Sequence, residues 1–360
     1  MRGLGLPSTE PVVQPQHYLR RPSALRSLNS PARYSSENKE GKTCDSPVQK
    51  KRIAKMPSQN QIEEMLLSRT SPVAARMRAI FGLKGLDNSA AISALEKSLK
   101  NDSSALVRHE VAYVLGQKKA ISALPTLYAT LEDKGEDVMV RHEAAEAMGA
   151  IGDSTAVPIL EKYAKGDDIP LEIRETCVLA LEKIRWIASG GAGGPTGGYN
   201  SLDPAPPESS ESDIEELKNT LCDGKRDMFK RYRAMFTLRN IGGEKATLAL
   251  CEGMERERGS ALFRHEVAYV LGQLQREEAV PTLIKFLKDD KEADMVRHEA
   301  AEALGAIGSK EAEAELELFK KDKADVVRES VEVALDISEY VTSGELHYAE
   351  TIDATKASNA

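Results

Sequence analysis

Aromatic residues make up only 5% of this 360-residue chain, with a single tryptophan. A core with so few rings must be filled by small and aliphatic side chains, which favours packed helices. Four cysteines, Cys44, Cys177, Cys222 and Cys251, are scattered, and none forms a C-x-x-C pair. This spacing excludes a disulfide frame or a zinc cluster and reads as reduced thiols in a reducing compartment. No apolar run approaches the roughly 20 residues that span a bilayer, so no membrane partner is expected. The common catalytic templates are missing too. A zincin needs a second histidine four residues after the first, but Tyr113 and Glu146 hold those places. There is no G-x-S-x-G, no P-loop and no G-x-G-x-x-G after a strand. The Glu-x-x-His pattern of four-helix di-metal bundles is also missing.

The net charge of −8 hides an asymmetry, because residues 1–57 carry 11 Lys+Arg against 4 Asp+Glu. The remainder therefore bears about −15, which argues against a nucleic-acid partner and suits a cationic ligand or a basic protein. Residues 1–58 are rich in Ser, Pro and Arg, lack hydrophobic periodicity, and read as a disordered basic extension. Five arginines and one acid, Glu10, in the first 36 residues resemble transit-peptide composition, without the apolar stretch of a secretory signal. An untargeted extension, with Met56 as an alternative start, is the plainer reading. A cytoplasmic location is expected, with organelle targeting as the alternative.

What the chain does have is Arg-His-Glu, four times: 108–110, 141–143, 264–266 and 297–299. Four of the six histidines sit in it. The copies in each half are 33 residues apart, and the halves are offset by 156. Aligning on the arginine extends the repeat to Arg78, Arg108, Arg141 and Arg174, then Arg233, Arg264, Arg297 and Arg328. Apolar helical stretches follow, such as Val111–Gly116 and Val267–Gly272, whose glycines suit a helix end or a close helix contact. Pro125, Pro158 and Pro281 suit the first turn of the intervening helices. Asp137 and Asp294 are N-cap candidates. A two-helix unit at this period is an α-solenoid resembling short HEAT repeats of the bilin-lyase type. The expected fold is therefore all-α: a HEAT-like solenoid of eight helical hairpins in two symmetric four-repeat arms. The arms are expected at 59–188 and 213–340. Between them, 189–212 reads as a flexible Gly/Pro/Ser linker unable to pack, and 341–360 as a tail.

Stacked repeats place equivalent residues side by side, so each arm should gather two His-Glu pairs. Imidazole plus carboxylate suits iron, manganese or zinc. The outer repeats lack the pair: Ala79 and Ala234 follow the arginine in the first repeats, Glu175 and Glu329 in the last. A mere requirement of the solenoid would put His-Glu in every repeat. The arginine, present in all eight, is expected to bond repeat to repeat. Two divalent ions balance four glutamates, so two acids could ligate and two could bind a polyamine-like substrate. Tyr113 and Tyr269 are expected to pack in the core, while Glu146 and Glu302 could touch the ligands.

Two four-repeat arms with two inner His-Glu pairs each resemble the deoxyhypusine hydroxylase family over about residues 59–340. The resemblance implies a monooxygenase with a non-haem centre of two Fe2+ ions and O2 as co-substrate. It implies hydroxylation of the deoxyhypusine side chain of translation factor 5A, completing hypusine, with electrons from an external donor. It implies metal ligands His109, His142 and Glu143 in one arm and His265, His298 and Glu299 in the other. Glu110 and Glu266 would be the catalytic-site acids that grip the substrate amines, and Gly116-Gln117, Gly272-Gln273 and Met295 would line the substrate channel. The metal is expected to tie the arms together. The alternatives are a non-catalytic HEAT-repeat scaffold and a bilin-lyase-like binding protein.

Overall fold

The computed structural model describes residues 57–208 and 213–343. Most of the basic extension, part of the expected linker and the tail beyond 343 lie outside the described residues. Sixteen α-helices pair into eight hairpins among the described residues. In the first arm these are α1 (Gln59–Leu67) with α2 (Val73–Lys84), and α3 (Ser89–Asn101) with α4 (Ala105–Gln117). They are followed by α5 (Leu124–Glu132) with α6 (Val138–Ile151), and α7 (Val157–Ala164) with α8 (Leu171–Ala188). The second arm repeats the pattern. Its hairpins are α9 (Ile214–Cys222) with α10 (Met228–Ile241), α11 (Gly243–Arg256) with α12 (Ala261–Leu274), α13 (Val280–Lys288) with α14 (Asp294–Ile307), and α15 (Lys310–Leu318) with α16 (Asp325–Ser343). The expected eight-hairpin solenoid is the observed one.

Local signals start and stop these helices as expected. Pro125, Pro158 and Pro281 occupy first turns, where the missing N–H is not needed. Asp137 caps α6, accepting from the Met139 N–H at 2.8 Å. Asp294 does not cap α14; it is already the first helical residue, behind Ala293. There its charge favours the helix dipole and reaches Arg297 at 3.4 Å. Gly116, Gly149 and Gly305 are close-contact glycines. A Cβ on each would stand 2.7, 2.9 and 2.5 Å from the Cα of Ala147, Ala180 and Ala334 in the next repeat.

The repeating arginine is the fourth residue of the second helix in every hairpin, which puts it at Arg76 and Arg231 in the first repeats and not at the expected Arg78 and Arg233. It joins repeats at five positions. Arg76 pairs with Asp102, and Arg231 with Glu257 at 2.6 Å. Arg108 forks onto Glu136 at 2.9 and 2.6 Å, and Arg264 onto Glu292 at 2.7 and 2.6 Å. Arg297 forks onto Asp322 at 3.2 and 2.5 Å. Each acid lies in the turn of the following hairpin, so the ion pair fixes the stacking step. Elsewhere the role changes. Arg141 turns back within its own hairpin to the Leu131 carbonyl at 3.0 Å. Arg78 and Arg233, two residues beyond the register, make contacts of their own: Arg78 crosses to Asp336 of the other arm, and Arg233 donates to the Pro206 and Pro207 carbonyls.

The two arms close on each other. Val333 of α16 is buried in the core of the first arm, while Met139 of α6 and Leu179 of α8 are buried in that of the second. Two hydrogen bonds cross reciprocally: Ser104 Oγ to Glu329 and Ser260 Oγ to Glu175, both 2.6 Å. The arms thus have protein contacts of their own.

The connecting segment carries no helix among its described residues, but the expectation that it cannot pack fails at 201–206. Ser201, Leu202, Asp203 and Ala205 are buried. The reason is electrostatic. The fully buried Arg239 needs an anion, and Asp203 meets it in two bonds of 2.8 and 2.7 Å. Gln117 adds a second clamp, accepting from the Leu202 N–H at 2.7 Å.

Gly149→Val drives a branched side chain into the Ala180 backbone; overpacking of about 1–3 kcal/mol is expected, read as a lower thermal midpoint. Burial pushes the Glu175 carboxyl up to about 7, with Glu172 and Glu257 adding to the rise and Ser260 and Arg231 opposing it. The native state therefore holds this proton over a pH range where the unfolded chain has lost it. Stability should fall as pH rises from about 4.5 to 7 and then level off. Glu175→Gln should flatten that portion of a stability–pH profile.

Candidate metal centre

The four Arg-His-Glu motifs sit early in α4, α6, α12 and α14, and the caps set their depth. Ser104 accepts from the Val107 N–H at 3.1 Å, and Ser260 from the Phe263 N–H at 2.9 Å. His109, His142, His265 and His298 are all buried, the second and fourth completely. Closure of the arms gathers them into one cluster. The ring of His109 lies 5.6, 6.0 and 5.4 Å from those of His142, His265 and His298. The ring of His265 lies 5.4 Å from His142 and 5.3 Å from His298.

Carboxylates complete the set. Glu143 reaches His109 Nε2 at 3.3 Å, and by the same symmetry Glu299 reaches His265 Nε2 at 3.5 Å. Ligand-capable atoms lie within 4.8 Å of one another in three groups: His109, His142 and His265; His265, His298 and Glu299; His142, Glu143 and Glu146. The first group crosses the arm boundary. Glu110 and Glu266 are buried beside their histidines.

The electrostatics suit a cation. Burial, then the charges of His265 and His298, hold the His142 imidazole well below its usual range, leaving it neutral with a free lone pair. His298 is raised: burial lowers it, but the hydrogen bond to Glu302 and the charges of Glu299, Glu302 and Glu110 outweigh burial. Burial pushes Glu266 well up, assisted by Glu146, Asp203 and Glu299. Both ring nitrogens of His142 and Nε2 of His298 are buried without a hydrogen-bond partner. Leaving such an atom unsatisfied costs about 1–3 kcal/mol. Coordination would satisfy one ring nitrogen of each histidine, so the residues fit a metal.

Several neighbours depart from expectation. Tyr113 and Tyr269 do more than fill the core; their hydroxyls meet across the arms at 3.0 Å. Gln273 donates to the Tyr269 hydroxyl at 2.9 Å and accepts from Arg239 at 2.9 Å. Gln117 and Gln273 are thus engaged with the connecting segment. Met295 is buried in the core of the second arm. Glu302 and Glu146 do neighbour the expected ligands: Glu302 stands 3.7 Å from His298 Nδ1, steadied by Ser330 Oγ at 3.2 Å, and Glu146 falls in a group with His142 and Glu143. Ser330, Asp203 and Arg239 escaped sequence reasoning. Ser330, like Thr176, takes the register of the motif glutamate in a fourth repeat that lacks the pair; Arg239 belongs to no repeated motif, and Asp203 lies in a stretch whose composition reads as spacer.

The HEAT-repeat family pattern matches residues 61–139, 93–182 and 247–336. Deoxyhypusine hydroxylase of Drosophila melanogaster is 46% identical over 307 residues, 84% of this chain and 100% of that protein. The chain belongs to the deoxyhypusine hydroxylase family. The human deoxyhypusine hydroxylase is 47% identical over 292 residues, covering 81% of this chain and 95% of its own. Its structure, solved in complex with glycerol, superposes with a TM-score of 0.75 at 48% identity, over 78% of this chain and 96% of that one. Membership in the deoxyhypusine hydroxylase family makes this chain an enzyme. No helix of the described residues is long and apolar enough to cross a membrane.

His142→Leu should separate the cost of the cluster from its use. Without metal, in chelator, the variant should melt higher than the native chain, since about 1–3 kcal/mol of unsatisfied burial is removed. It should also lose metal binding. A lower midpoint in chelator would show the imidazole to be satisfied within the apo fold.

Proposed function

We propose that this chain is a deoxyhypusine monooxygenase that hydroxylates the deoxyhypusine side chain of translation factor 5A, completing hypusine. The observation that carries the reading is the convergence of four buried imidazoles with Glu143 and Glu299 in a chain of this family. A partner-binding scaffold has no use for a fully buried imidazole with both nitrogens unsatisfied. His109, His142 and Glu143 with His265, His298 and Glu299 would hold two Fe2+ ions. When bound, the metal pair supplies the redox chemistry toward O2 that these side chains lack. One oxygen atom enters the substrate C–H bond and the other leaves as water, so an external donor must provide two electrons.

The protein's own part is to bind, orient and exclude water. Glu110 and Glu266 would grip the substrate ammonium groups. Glu266 is disfavoured as an isolated anion here, and the positive charge of an arriving ammonium would favour its ionised form, with the carboxyl proton released to solvent. The acidic balance of residues 58–360 favours approach of a basic protein segment.

The test is hydroxylation of deoxyhypusine-bearing factor 5A by iron-loaded protein with a reductant. Activity should disappear in His298→Ala together with bound iron. Glu110→Gln and Glu266→Gln should keep their iron but raise KM about 10–100-fold, the loss of a charged hydrogen bond. A full complement of iron with no hydroxylated product would contradict the proposal.

A further inference from the structure

The fourth repeat of each arm carries Arg-Glu where the inner repeats carry Arg-His-Glu, so Glu175 and Glu329 occupy the histidine register. In the inner repeats that register points a ring into the central cluster. In α8 and α16 it points across to the opposite arm. Glu175 accepts from Ser260 Oγ and Glu329 from Ser104 Oγ, both at 2.6 Å. Each serine is the N-cap of a motif-bearing helix, α12 or α4, five residues before His265 or His109. The pairing is reciprocal: the last helix of each arm holds the start of the other arm's first motif helix. One turn further on, Leu179 and Val333 follow their glutamates into the opposite cores.

We propose that Glu175 and Glu329 are positioning residues that latch the arms at the caps of α12 and α4 and so fix the distance across the candidate metal centre. The reading of that centre as a metal site is the ground on which the second half of this statement rests. A stabilising role alone fits poorly. Burial disfavours both carboxylates as anions, and a buried charge adds little net stability even when bonded. What each hydrogen bond adds is direction. It fixes the cap, the cap fixes the helix start, and the helix start fixes where His109 and His265 stand. A hydrogen-bond acceptor suffices, so Glu→Gln should keep the latch and Glu→Ala should break it.

The test uses the full chain and Mn2+ as probe, read by electron paramagnetic resonance. Native protein should bind two Mn2+ with a spin-coupled spectrum. Glu175→Ala with Glu329→Ala should lose the coupling and bind the second ion at least tenfold more weakly. The double Glu→Gln variant should keep both. Identical coupling and affinity in the double alanine variant would overturn the latch. Each single alanine variant provides the same comparison if the double variant does not fold. A second measurement needs no metal. In chelator, the drop in thermal midpoint from Glu175→Ala should vanish when Ser260 is already Gly, a substitution that preserves most of the cap. Additive losses in that cycle would overturn the latch independently. Native protein that binds no Mn2+ would instead overturn the metal reading, and the cycle would still decide the latch.

Discussion

Closure of one arm against the other is the constraint on which the rest depends. Neither arm alone assembles the centre. The first arm supplies His109 and His142, the second His265 and His298, and one ligand-capable group already mixes the two. The closure is built from reciprocal parts: Val333 in one core and Leu179 in the other, Ser104 to Glu329 and Ser260 to Glu175, Tyr113 to Tyr269. The ends of the arms are joined differently. Arg78 meets Asp336 at one junction, while Arg233 holds the connecting segment at the other. Only one of the two junctions has a covalent connection, and the asymmetry follows from that.

Closure creates an interior that is unfavourable without a cation. Buried imidazoles lose their hydration, and neither ring nitrogen of His142 gains a protein hydrogen bond in return. The solenoid tolerates this because its stability comes from elsewhere, in the aliphatic stacking of sixteen helices and the buried arginine forks between repeats. The centre is a place where folding and function pull apart, and such places are where local rules are expected to fail. The connecting segment belongs to the same economy of position. Through Asp203, Arg239 and Gln273 it reaches the tyrosine pair beside the cluster.

Much of this was legible in the sequence because solenoids are nearly one-dimensional. A repeat of about 33 residues, marked by one arginine, defined the hairpins, and the confinement of His-Glu to inner repeats pointed to the candidate site. The glycines were legible as close contacts for the same reason. The unread parts are those that depend on distant pairings. Each first repeat carries two arginines two residues apart, and periodicity alone does not say which is in register: Arg76 and Arg231 are, while Arg78 and Arg233 have contacts of their own. Composition describes 189–212 as spacer, yet one buried guanidinium suffices to anchor Asp203. Glu175 and Glu329 were visible as the residues that replace histidine, but their partners are 85 and 225 residues away. The Asp294 misassignment is a shift of one residue at a helix start, the least readable feature of any helix.

The central claim is that closure of the arms builds a two-metal centre from residues of both. Anomalous diffraction at the iron edge, on crystals of iron-loaded protein, tests it directly. Two peaks inside the cluster of His109, His142, His265 and His298, each within bonding distance of a Glu143 or Glu299 oxygen, are the predicted result. A fully loaded crystal with peaks elsewhere, or with all four imidazoles free of metal, would contradict the account.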